Sequence, residues 1–405
     1  MRRPGNRERA ARGPRDASAA PARAAPRVER MTSALDRFTA VIPAGGVGSR
    51  LWPLSRAAAP KFLHDVTGQG STLLRGTWDR LRPLCSADRI MVVTGMAHGA
   101  EVRCQLPELE EANVVLESEG RDSTAAIGLA AAILERRSPG AIIGSFAADH
   151  LIGNVARFHA AVREAVAAAD AGLIVTIGIQ PIEPSTAFGY IRAGAPHAVP
   201  GAPSARSVEA FVEKPAASTA RRYLASGEYL WNAGMFIAKA SVLLEELEAN
   251  RPELAAGIAE IADAWDTDER EATTARVWPT LEKIAIDYTV AEPAAAKGAL
   301  AVIPGFFQWD DVGDFASVSR LRQIEQAASG EAPKVVVMGD EARVVDVDAT
   351  GLVVSRTDRV IAVAGIPDVV VVDTEDALLV TTRANAQKVK DLVKAIGASE
   401  HPEVL

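Results

Sequence analysis

Apolar residues first gather into a run at FTAVIPA (38–44), which predicts a buried strand leading into a glycine-rich turn. Residues 72–82 carry a helical spacing, RIMVVTG (89–95) reads as a strand, and NVVLES (113–118) as a short strand. Residues 123–136 and 155–170 are predicted helices, with AIIGSFAADH (141–150) and LIVTIGI (173–179) as strands. Strands alternating with helices of 10–15 residues predict an α/β fold on a parallel sheet. Ligands of such sheets bind outside the carboxyl ends of the strands. The glycine-rich turn at 44–48 and Asp149 are both predicted there.

Between 183 and 310 the pattern is mixed. SVEAFVEKP (207–215) predicts an edge strand stopped by Pro215, YLWNAGMFIAK (229–239) a strand pair or a bulged strand, and 240–285 mostly helix. From 333 to 381 the chain breaks into KVVVMG, RVVDVD, GLVVS, RVIAVAG, DVVVVDT and ALLVTT, with a helix at 384–396. Turns every 8–10 residues or so predict a small β domain. No strict hexapeptide repeat runs through it, so a regular β-helix stays an open alternative.

Composition narrows the class. The 405 residues are 48% hydrophobic, 24% charged and 5% aromatic, as in a globular protein. No apolar stretch is long enough for a membrane span, so no membrane partner is expected. Cys85 and Cys104 suit a reducing cytoplasm rather than a disulfide framework. The net charge of −8 argues against nonspecific nucleic-acid binding. Residues 1–30 differ: nine Arg face three acids, without apolar periodicity. They predict a disordered tail, and Met31 as the true initiator is an equal alternative. A secretory signal is not expected, because no apolar core follows the Arg residues.

The stretch Ala44-Gly45-Gly46-Val47-Gly48-Ser49-Arg50-Leu51-Trp52-Pro53, ending at Pro60-Lys61, carries the first chemistry. Glycines after a strand admit a ligand close to the backbone, whose N–H groups can cradle phosphate. Arg50 and Lys61 add fixed positive charge. Leu51 stands where a dinucleotide fingerprint needs its third glycine, and no Gly-Lys-Ser/Thr of a P-loop follows. Asp149 and Asp311 offer hard oxygens of the kind Mg²⁺ takes beside phosphates. Alone, Asp122 or Ser123 would read as a helix cap, Glu213-Lys214 as a surface ion pair, and Asn232-Ala233-Gly234 as a strand bulge.

The string AGGVGSRLWPLSRAAAPK resembles the signature of sugar-1-phosphate nucleotidylyltransferases. In the form RLWPLSR it resembles the mannose-1-phosphate guanylyltransferases, or GDP-mannose pyrophosphorylases. The resemblance continues through ESEGRDSTAAI (117–127), FAADH (146–150), FGYI (188–191), FVEKP (211–215), LWNAGMF (230–236), IDYTVAE (286–292) and WDDVGDF (309–315). It implies a doubly wound, Rossmann-like nucleotidyltransferase domain with a mixed sheet over 36–330. A β-rich domain with a terminal helix would follow at 331–405, and a disordered extension would precede at 1–35.

The resemblance also implies roles. Ala44, Gly45, Gly46, Gly48, Arg121, Asp122 and Ser123 would bind the nucleotide. Arg50 and Lys61 would be catalytic, stabilising the leaving pyrophosphate. Lys214 would hold the sugar phosphate, while Gly189, Glu213, Asn232 and Gly234 would meet the sugar. Mg²⁺ would sit on Asp149 and Asp311, the latter rather than Asp310. The family pattern usually has Asn and Thr where Asp122 and Ser123 stand, and Trp at Phe315. An Asp122 carboxylate could still accept from guanine N1–H and N2–H. The expected partners are GTP and mannose 1-phosphate, in a homo-oligomer with a dimer favoured. Glucose 1-phosphate with UTP, dTTP or ATP, and a non-catalytic regulatory subunit, are the alternatives.

Overall fold

A computed structural model of the chain describes Met1, residues 33–328 and 334–405. The predicted tail over 1–30 lies outside the described residues apart from Met1. Residues 33–35, expected within the disordered extension, are instead ordered. Ser33 caps a helical turn at Ala34–Arg37 by accepting from Asp36 N, and Asp36 accepts from Ser33 N in return.

In chain order the first strands are β1 (Phe38–Ala44), β2 (Ile90–Gly95), β3 (Val114–Glu117), β4 (Ile142–Ser145) and β5 (Leu151–Ile152). They are followed by β6 (Ile174–Ile179), β7 (Tyr190–Pro196), β8 (Arg206–Val212), β9 (Tyr229–Lys239), β10 (Leu300–Gly305) and β11 (Trp309–Asp310). Nine of them form one sheet in the order β3-β2-β1-β4-β9-β6-β10-β8-β7, and β5 pairs with β11 alone. β1 runs parallel to both β2 and β4, whereas β9 runs antiparallel to β4 and β6. The sheet is therefore mixed and doubly wound. The chain leaves β1 toward β3 on one side and returns to β4 on the other. That reversal opens a crevice at the carboxyl ends of β1 and β4.

Period-two alternation explains the two faces. Phe38, Ala40 and Ile42 of β1 join one core with Leu74, Trp78 and Phe158. Val41 joins the other with Ile127, Leu243 and Ile258. Helices Leu73–Leu81 and Val155–Asp170 cover the first face; Asp122–Arg137, Ala240–Asn250 and Pro252–Ala264 cover the second.

Two predicted strands differ. The run 141–150 leaves the sheet after Ser145, although Phe146 N and Ala148 N still donate to Val41 and Pro43 carbonyls. Asp149 is thus on a loop that trails β1, not at a strand end. SVEAFVEKP is not an edge, because β8 pairs with β7 on one side and β10 on the other.

The last strands are β12 (Val335–Met338), β13 (Val344–Val347), β14 (Gly351–Ser355), β15 (Ile361–Ala364), β16 (Val369–Asp373) and β17 (Leu378–Thr382). β12, β14 and β16 stack in parallel, β13 stacks on β15, and β17 closes antiparallel on β16. Successive coils of this kind make a short β-helix, followed by helix Val389–Gly397. Leu352, Val354, Val370, Val372 and Val389 of this part share a core with Leu51, Trp52 and Leu54. Val345, Val347, Leu378 and Val380 stay exposed on it. No helix among the described residues is long and apolar enough to cross a membrane.

Candidate active site

The glycine turn leaves β1 at the crevice. Gly48 takes a left-handed φ of 74°, and a Cβ there would come 2.8 Å from Lys61 Cγ and Cδ. Only glycine fits both demands. Two carbonyls of the turn are bound inward: Val47 O accepts from Lys61 N, and Gly48 O accepts from Leu51 N and Ser55 Oγ. This keeps those two acceptor oxygens out of an anion's path. Behind the turn, Trp52 is buried and donates its Nε1–H to Val404 O at 2.8 Å, and Arg56 pairs with Asp376 at 2.7 Å. The phosphate-loop region is thus braced by the C-terminal β-helix. Arg50 is half-buried, and its Nε has no hydrogen-bond partner.

Lys61 departs from the expected role. Its buried ammonium lies 2.9 Å from Asp149 Oδ2 and donates to the Asp311 carbonyl at 2.8 Å. It joins the two predicted metal-binding segments. Burial works against the charged form of Asp149, but the Lys61 ammonium, with His150 and a backbone N–H adding to it, holds the carboxyl below its usual range. Asp311 lacks such relief. Burial, with Asp310 and Asp149 adding to it against the Lys61 charge, pushes its carboxyl up to about 6. Asp310 is engaged elsewhere, accepting from Val312 N at 2.8 Å and pairing with Arg320 at 2.5 Å. Among the described residues no three His, Cys, Asp or Glu side chains gather as a ready-made metal centre. Two hard carboxylates, one of them unfavourably buried, fit Mg²⁺, which completes its shell with water and substrate phosphates.

Beside this pair lies a cavity of about 240 Å³. It gathers Ser123, Gly189, Glu213, Asn232, Gly234 and Asp311 from the predicted set. Glu213 holds Lys214 at 2.8 Å through one oxygen, while its buried Oε2 has no partner. A Cβ at Gly189 would lie 2.5 Å from that Oε2. Asn232 is mostly spent inside the protein. Its Oδ1 accepts from Thr176 Oγ1 and Gly234 N, and its Nδ2 donates to Asp287 at 2.8 Å.

Arg121, Asp122 and Lys214 do not line the cavity. Arg121 bonds the Leu281 and Pro279 carbonyls, anchoring the segment that follows helix Arg270–Val277. Asp122 is exposed and accepts from Ser123 N; Ser123 Oγ accepts from Ile286 N. Neither residue caps the helix.

Four residues that sequence reasoning left without a role, His150, Phe188, Asp287 and Trp309, complete the wall. Asp287 opens a wide π turn within IDYTVAE, and burial with the nearby Glu213 charge pushes its carboxyl up to about 7. Phe188 and Trp309 form an aromatic side, their rings 5.0 Å apart, and Trp231 packs against Phe188 at 5.0 Å without lining the cavity. His150, given no metal role, accepts the Trp309 Nε1–H at 3.3 Å. Wide helical turns recur at functional sites, but nothing in the letters of IDYTVAE announces one.

The family model described as Nucleotidyl transferase matches residues 39–327, and that described as MannoseP isomerase/GMP-like beta-helix domain matches 342–396. The mannose-1-phosphate guanylyltransferase of Escherichia coli (strain K12) is 37% identical over 374 residues, covering 89% of this chain and 74% of that one. The chain belongs to the mannose-1-phosphate guanylyltransferase family. Xanthan biosynthesis protein XanB of Xanthomonas campestris pv. campestris (strain B100) is 38% identical, over 90% of this chain and 74% of its own length. A solved structure titled mannose-1-phosphate geranyltransferase, from Thermus thermophilus, superposes with a TM-score of 0.75. It is 31% identical and spans 89% of this chain and 99% of that one. The family's nucleotidyltransferase fold and C-terminal β-helix are the two parts seen here, and membership makes the chain an enzyme of the nucleotidyltransferase class.

Proposed function

We propose that the chain transfers GMP from GTP to α-mannose 1-phosphate, giving GDP-mannose and pyrophosphate. The observation that carries this is the meeting, at one crevice, of the glycine turn, the Asp149–Lys61–Asp311 cluster and the polar cavity. A phosphate oxygen of the sugar phosphate attacks the α-phosphorus in line. The bond from that phosphorus to the bridging oxygen breaks, and pyrophosphate leaves. No protein nucleophile is required, so rate comes from positioning and charge neutralisation. Arg50 would stabilise the leaving pyrophosphate; its guanidinium is half-buried beside the glycine turn, with the Nε–H unspent. Lys61 acts by holding Asp149 and the Asp311 backbone together. Lys214 neutralises the incoming sugar phosphate, while Glu213 and Asp287 accept from sugar hydroxyls. Mg²⁺ on Asp149 and Asp311 would supply Lewis-acid neutralisation of the phosphates.

Pyrophosphate release, measured with GTP, UTP, dTTP and ATP against mannose and glucose 1-phosphates, tests the reading. GTP with mannose 1-phosphate and Mg²⁺ is the expected best set. A preference for glucose 1-phosphate, or no turnover with any pair, overturns it.

A further inference from the structure

We propose that Asp310 is a positioning residue: it holds Val312 in a left-handed bend and so fixes where the Asp311 carboxylate lies. The inference rests on the proposed function, in which Asp311 holds Mg²⁺.

The turn that carries Asp311 bends at an unusual residue. Val312 has a φ of 47°, in the left-handed region where a Cβ is crowded. For a β-branched side chain this is an outlier. Glycine would take the conformation freely, but Val312 is fully buried, in the core it shares with Leu51, Leu54 and Phe315. The core requires the valine while the backbone favours a glycine. Such a conformation persists only where its surroundings enforce it.

Asp310 enforces it. Its carboxylate is buried and bridges two groups. Oδ1 accepts from Val312 N at 2.8 Å, the bond an aspartate can make to the backbone two residues on. Oδ2 pairs with Arg320 at 2.5 Å. Arg320 belongs to helix Phe315–Ala328, whose first turn is held by Asp314 accepting from Ala316 N and Ser317 N. The backbone of Asp310 is fixed as well, because β11 pairs it with Leu151 of β5, just after Asp149.

The bend decides what the site receives. Lys61 Nζ donates to the Asp311 and Val312 carbonyls at 2.8 and 3.4 Å. In an extended chain neighbouring carbonyls point to opposite sides, so a relaxed Val312 would take one of them away. The Asp311 carboxylate lies over Gly313, where an added Cβ would come 3.1 Å from Oδ2 and 3.3 Å from Oδ1. Its place is therefore set by the peptide units on either side of Val312. Without the Asp310 side chain, Val312 is free to return to a negative φ and carry Asp311 away from Lys61 and Asp149.

The test compares the full wild-type chain with Asp310→Asn and Asp310→Ala. Asparagine keeps an oxygen for Val312 N, and alanine keeps nothing. One readout is the MgCl₂ concentration that gives half-maximal pyrophosphate release at saturating GTP and mannose 1-phosphate. The other needs no turnover: the rise in melting temperature that MgCl₂ adds to GTP alone, without sugar phosphate. In Asp310→Ala the half-maximal Mg²⁺ should rise about 10- to 100-fold, and the Mg²⁺-dependent rise in melting temperature should shrink or vanish. Asp310→Asn should stay close to wild type in both. An Asp310→Ala that melts lower without ligand yet keeps the wild-type Mg²⁺ response would mark a merely structural role and overturn the assignment. So would an Asp310→Asn whose Mg²⁺ response is lost, since charge rather than the bond to Val312 would then be what counts; this outcome can be read even if the alanine variant does not fold. A wild-type chain without turnover, or one whose rate and melt ignore Mg²⁺, overturns the proposed function itself, and is seen before any variant is compared.

Discussion

Adding one methyl group at Gly189 asks whether Glu213 faces the sugar. A Cβ there would lie 2.5 Å from Glu213 Oε2, 3.3 Å from Asn232 Cβ and 3.4 Å from Phe211 Cζ. The first distance is about 1 Å inside ordinary contact, and the other two ask for a few tenths of an ångström at most. Glu213 can yield. Its other oxygen is tied only to Lys214, which is half-exposed and can swing with it. The stability loss should therefore sit near the low end of overpacking, about 1 kcal/mol. Function should lose more. Oε2 is buried without a protein partner, so moving it by about an ångström removes charge-assisted hydrogen bonds to a sugar hydroxyl. Such bonds are worth about 1.5–3 kcal/mol, or roughly 10- to 150-fold in kcat/KM for mannose 1-phosphate. The KM for GTP should hardly move. Steady-state kinetics of Gly189→Ala at saturating GTP, with a thermal melt alongside, separates the two effects. An unchanged kcat/KM for the sugar phosphate would refute the placement of Glu213.

Lys61→Met strips Asp149 of its ammonium, so both stability and turnover should fall, the former by about 3 kcal/mol and the latter by about 10²-fold or more; near-normal turnover at saturating Mg²⁺ would reject the role. Trp52→Ala should cost about 3–5 kcal/mol by chemical denaturation and raise the KM for GTP, since it loosens the contact between the loop and the C-terminal β-helix. The stability gain of Glu117→Gln over wild type, without nucleotide, should depend on pH. The folded carboxyl titrates near 7, above its ordinary 4.5, so the penalty is absent below about pH 4.5 and complete only above 7. The gain should grow across that window toward about 3 kcal/mol, and a gain independent of pH would rule out the buried carboxylate as its source.

The strands were legible wherever an apolar run stopped at a glycine or polar residue, as at FTAVIPA before Gly45-Gly46 and IMVVTG before the turn at Met96. The tail of AIIGSFAADH was not, because Phe146 and Ala148 keep a strand-like rhythm and partial bonding to β1 after the ladder ends. The β-helix hid for a related reason. Val335 pairs with Gly351 and Gly351 with Val369, spacings of 16 and 18 that show no fixed repeat. At the site, residue type and position could be read, but partners could not. A lysine near a glycine turn reads as a phosphate ligand, and only the fold brings Asp149 to it. Glu117 and Asp287 passed without a role because acids are ordinarily exposed, and burial of a single acid leaves no mark in the letters around it.

Three carboxylates in this region, Glu117, Asp287 and Asp311, are each raised mainly by burial. Each weakens the fold without ligand, since a carboxylate whose burial is not fully offset by nearby charge disfavours the folded state at neutral pH. On the proposed reading Asp287 meets the sugar and Asp311 the metal ion. Selectivity for the sugar follows from the same arrangement, because a wrong sugar leaves a buried charge unanswered. This works only if the carboxylates cannot turn out to water when the ligand is wrong. The loop beside them must therefore be stiff, and its stiffness comes from Leu51, Trp52 and Leu54 locked against the β-helix. The C-terminal β-helix is then part of how the site discriminates, and loosening it should blur the choice of sugar before it abolishes turnover.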